Sequence, residues 1–336
     1  MELPPEAVQR ALVQRYARIL SRFDRELGKR PLVLPTSKYF PDEFTGDVKS
    51  LGRLVSRMRE HAGMTDIPVR TQVVKDESAD GPAGGCGSGA CAKPSSADAQ
   101  IERVVDEGTG WRLNVPEREL GHPVVLTTNV ARALSLIFLL EARDEEQPLD
   151  EPLDVTLDLT AIALGFGALL LEGSYIYSKS CGGPSVARVT RLGCPELVLP
   201  FALFAARAGH SLRPALRELS TTQRALLDEA RGLVDSNSEL VTALRADPDR
   251  VARGDFRLDE SRPWLLRVLG RKSAPDSAKD PLDLLLESDV SPDQLESLVP
   301  VLPRAARAER PKAADPRRDE LRALVDEAFA NRADAE

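Results

Sequence analysis

Apolar residues recur at helical spacing near the start of the chain: Val8, Leu12, Tyr16, Ile19, Leu20, Phe23 and Leu27, with Arg, Gln and Glu between them. The pattern predicts an amphipathic helix over 5–28. Pro4 and Pro5 stand at its start, where a missing N–H removes no intrahelical bond. Residues 31–35 read as a short strand bounded by prolines, and 39–44 as an irregular aromatic stretch. Val48, Leu51, Leu54, Val55 and Met58 predict a second helix closed near Gly63. The partial alternation of 67–74 predicts a strand. Residues 101–105 and 111–115 read as two strands around Gly108-Thr109-Gly110, a hairpin signal. Two long apolar stretches follow, 122–141 and 153–177, joined by an acidic link. Each is predicted to be a helix, and no other part is as continuously apolar, so the pair is predicted to form the buried centre. Residues 180–184 read as a loop. Cys194-Pro195-Glu196 opens a helix ending at Gly209, Ser220-Thr221-Thr222-Gln223 is a capping box, and Ser238-Glu239-Leu240 opens one more helix.

Two segments differ in kind. Residues 76–99 are dominated by Gly, Ala, Ser, Asp and Pro, a composition that cannot bury enough apolar surface to order itself. After the apolar cluster Trp264, Leu265, Leu266, Val268 and Leu269, the chain from 271 onward is rich in Lys, Asp, Pro and Ala. It reads as a flexible tail with short helical pieces at 291–294 and beyond Asp315. The predicted fold class is α+β: a small, antiparallel-containing sheet packed on a central helix pair, with a mainly helical C-terminal half. The expected organisation is an α+β domain over 1–178 with its flexible loop at 76–99, a helical region over 179–270 packed on it, and the tail 271–336.

The 336 residues suffice for a substantial core. A net charge of −8 argues against nucleic acid and gives no attraction to anionic lipid. No basic and apolar leader opens the sequence, and charges interrupt both apolar stretches, so no membrane span is predicted and a cytoplasmic location is expected. Four cysteines in a chain of this length are not a disulfide framework.

The central pair resembles a family of bacterial zinc-metallopeptidase-like proteins. The residues that carry the likeness are Leu126-Thr127-Thr128 on the approach to the first helix, Glu151-Pro152-Leu153 before the second, then Asp158-Leu159 and Leu164-Gly165-Phe166-Gly167. It covers roughly residues 30–180. The resemblance implies a helix carrying His-Glu-x-x-His and a second helix whose acid completes a metal site. Here the ligand positions hold Ala131, Arg132 and Ser135. Ala and Ser supply no imidazole, and Arg cannot take a proton from water. Asp158 alone could not hold Zn²⁺, so no cofactor is expected there and peptide hydrolysis is expected to be lost. Arg132 then needs a partner, either Asp158 or Asp154 across the helix pair, unless it reaches out to solvent.

Cys86 and Cys91 lie in the Gly-rich loop, and Cys181 and Cys194 flank a second loop. Thiolates suit Zn²⁺ or an iron–sulfur cluster, and the Cys86–Cys91 spacing matches the first pair of a plant-type cluster loop. Pro94 stands where the next ligand would be. The alternatives are a redox-labile Cys86–Cys91 pair or four unrelated cysteines. Cys194, at a helix start, is expected to be the most acidic thiol. His61, His122 and His210 have no metal-type spacing. A Cys194–His210 dyad would need the chain to fold back by a helix length. The leading expectation is a non-catalytic protein on a degenerate peptidase scaffold that binds a protein partner or itself. The alternative is a four-cysteine metal or thiol-redox protein.

Overall fold

A computed structural model of the chain describes residues 2–27, 29–75, 97–143, 148–180 and 183–259. All of them belong to one compact unit, Met1–Arg271. The fold is α+β. A three-stranded sheet of β1 (Val69–Val74), β3 (Trp111–Pro116) and β2 (Val104–Asp106) has β1 parallel and β2 antiparallel to the middle strand. Against it pack α2 (Val48–His61), α3 (Ala97–Arg103) and the apolar centre, while α1 (Glu6–Leu27) packs on other helices.

The centre is α4 (Pro123–Ala142), which packs on α5 (Leu153–Ala163) and α6 (Gly167–Ser174). Both α4 and α5 are apolar on nearly every face, so each is enclosed on all sides instead of lying on a surface. In α4, Leu126 and every residue from Thr128 to Leu139 are buried. One continuous core joins this centre to α7 (Cys194–Ala208), α9 (Thr221–Ser236), α10 (Ser238–Ala246) and α11 (Pro248–Ala252), with α8 (Arg213–Glu218) between α7 and α9. The core therefore has no seam at residue 178. Caps behave as the sequence implies. Gln223 Oε1 accepts the Ser220 N–H at 3.1 Å, and Gly209 ends α7 with φ +74°.

Four elements differ from expectation. The apolar stretch 153–177 is two helices and a strand, because the chain turns sharply at Gly165, φ +97°. A Cβ there would lie 2.1 Å from the Pro31 carbonyl, and at Gly167 it would lie 2.3 Å from the Phe201 ring. The Leu-Gly-Phe-Gly run thus permits two close approaches while Phe166 fills the core. Tyr175 closes the C-terminal end of α6, and Tyr177 lies on the strand that follows. The expected loop at 180–184 is instead part of a hairpin, β4 (Ile176–Ser180) with β5 (Gly183–Ala187). Most of the strand expected at 101–105 is the end of α3, since Gln100 and Arg103 face a buried polar cluster that alternation could not reveal. Residues 31–35 form no strand: two prolines remove donors, Val33 N–H bonds Gly165 O at 3.0 Å, and Leu34 O accepts the Thr36 N–H at 2.8 Å where the chain begins to turn. Of the flexible Cys/Gly-rich loop expected at 76–99, residues 97–99 instead open α3; residues 76–96 and the tail beyond 259, with Trp264 and the apolar residues after it, lie outside the described residues.

Candidate functional site

Four polar side chains lie on the buried length of α4: Thr128, Asn129, Arg132 and Ser135. The two hydroxyls are satisfied locally. Ser135 Oγ donates to Ala131 O at 2.8 Å, and Thr128 Oγ1 lies 2.8 Å from Val124 O and 3.1 Å from Leu169 O on α6. Arg132 has no such local answer. Its guanidinium is 0% exposed, the largest fully buried side chain among the described residues. Nε stands 2.8 Å from Asp158 Oδ1, and a terminal nitrogen donates to Asp154 Oδ1 at 2.8 Å. The other terminal nitrogen donates to Val189 O at 3.3 Å. Asp154 and Asp158 are one turn apart on α5, so both carboxylates face the same spot on α4. Of the alternatives open in the sequence, Arg132 takes both acids, and it does not reach solvent.

Asp158 does more than neutralise Arg132. Its Oδ2 accepts the Leu192 N–H at 2.8 Å, and the Arg191 N–H also reaches it. Arg132 holds the Val189 carbonyl of the same connection. The cluster therefore latches the loop between β5 and α7 onto the helix pair. Burial pushes the Asp158 carboxyl up to about 6 from 3.8, against the opposing pull of Arg132 and of the two backbone N–H groups.

The residues present do not fit a zinc ion of the kind the resemblance implies. Ala131 offers no donor atom, and the Ser135 hydroxyl already donates to Ala131 O. A fixed positive charge stands within 2.8 Å of both carboxylates, so a dication would meet repulsion in place of imidazole nitrogen. Among the described residues no group of three or more His, Cys, Asp or Glu is placed to hold a metal.

Cys194 overturns its expectation. It is 2% exposed at the start of α7, and burial pushes its thiol up to about 11, with a hydrogen bond to the Ser174 side chain opposing. The helix end is already compensated: Glu196 reaches back to the Gly193 N–H at 2.7 Å. A buried, protonated thiol is neither a ready ligand nor a nucleophile. Cys86, Cys91 and Cys181 lie outside the described residues. Cys194 and His210 stand at opposite ends of α7, about 20 Å apart along its axis, so they form no dyad. With Cys86, Cys91 and Cys181 changed to Ser, the remaining Cys194 is expected to react with a thiol reagent at pH 8 at least about a hundredfold more slowly in the folded protein than in urea. Equal rates would refute its burial.

Two polar features escaped sequence reasoning. Arg103 and Glu119 form a buried two-bond ion pair, 2.8 Å in each arm. Glu119 also accepts from Asn129 at 3.0 Å, and Asn129 in turn from Gln100 at 3.1 Å. An Asn inside an otherwise apolar helix was the one available sign. Glu172, alone among the leucines of α6, is pushed up to about 7 by burial and then by the nearby Glu218. Its folded value lies above the unfolded one, so its contribution is complete below about 4.5 and lost as pH rises through 7. Glu172→Gln is expected to raise stability at pH 8 by about 1–2 kcal/mol and to change little at pH 4.5, read by urea unfolding.

α4 is the one described helix long and apolar enough to cross a membrane, and 72% of the relevant window is buried inside the protein. Compared with known protein families, curated proteins and solved structures, the chain matches none.

Proposed function

We propose that this chain is a non-catalytic binding protein of the cytoplasm, built on a helix-pair scaffold whose metal-ligand positions have been replaced, and that it acts by holding a protein partner. The observation that supports this reading most is the placement of Arg132. Its guanidinium lies between Asp154 and Asp158 where a resident ion would otherwise lie, and Arg132 and Asp158 are both fully buried. A charged pair that is fully buried, with only Asp154 at its edge partly exposed, is suited to fixing a loop and a helix pair, not to turnover. The four-cysteine metal or redox reading has less support, since Cys194 is buried with a raised thiol pKa.

The test is a peptidase assay on the full chain with and without Zn²⁺, run beside metal analysis of the protein and of its Cys86, Cys91 and Cys181→Ser variant. The expected result is no metal-dependent cleavage by either protein, and the same metal content before and after Arg132→Met. Cleavage that requires the added ion would overturn the reading. A metal bound in stoichiometric amount and lost with the three cysteines would establish the cysteine alternative in its place.

A further inference from the structure

We draw no further inference here: the strongest candidate, the outer edge of β1 over Val69–Val74, which among the described residues pairs on its β3 side only, is an unpartnered sheet edge beside α2, and nothing in the structure shows what covers it.

Discussion

Arg132→Met is expected to destabilise the protein by about 3–5 kcal/mol at pH 8, the usual cost of leaving one member of a buried ion pair uncompensated. Arg132 and Asp158 are both fully buried, so no water can move in to replace the lost partner. Asp154, 23% exposed, can turn to solvent, but Asp158 cannot. Adding Asp158→Asn should recover at least half of the loss, because the amide oxygen still accepts the Leu192 N–H and no charge remains to be solvated. Urea unfolding of the two single variants and the double variant closes the cycle. A single-variant loss below about 1 kcal/mol would mean that water reaches the cluster.

The second large effect is a dependence on pH. In the folded chain Asp158 titrates at about 6, raised by burial above its ordinary 3.8. The sign follows from proton counting: between those two values the folded state holds a proton that the unfolded state has released, so stability falls as pH rises. The contribution is complete below about 3.8 and lost as pH passes through about 6, with an overall size on the order of 3 kcal/mol. Asp158→Asn has no carboxyl at this position and is the reference. Relative to that variant, the wild-type chain should lose about 2–3 kcal/mol between pH 4 and pH 7.5. A constant difference across that range would sink the assignment. The Arg132→Met loss should shrink as pH falls toward 5, since a protonated Asp158 needs no cation.

Glu172 adds to the same trend, through burial and the neighbouring Glu218. The two carboxyls sit on successive helices, α5 and α6, and both resist ionisation. The wild-type chain is therefore expected to be less stable at pH 8 than at pH 5 so far as these two groups decide it.

By itself the sequence determined what local pattern determines. The 3.6-residue period placed α1 and α2. The continuous apolar stretch 122–141 placed α4 at the centre, because a helix without a polar face has nowhere else to go. The cap residues Ser220, Gln223 and Gly209 fixed helix ends, since those bonds form between residues three or four positions apart. A charge inside α4 also announced that Arg132 needed an acid, because an unpaired buried cation is untenable in any fold.

Tertiary structure decided the rest. Whether Arg132 met Asp154, Asp158 or both depended on the rotation of α5 against α4. The break at Gly165 came from the approach of Pro31, more than a hundred residues away in the chain. Cys194 looked activated from its place at a helix start, yet the packing around α7 buried it and reversed the sign of its shift. Each of these outcomes is a balance of solvation and contact between distant parts of the chain, and no window of neighbouring residues contains both sides of it.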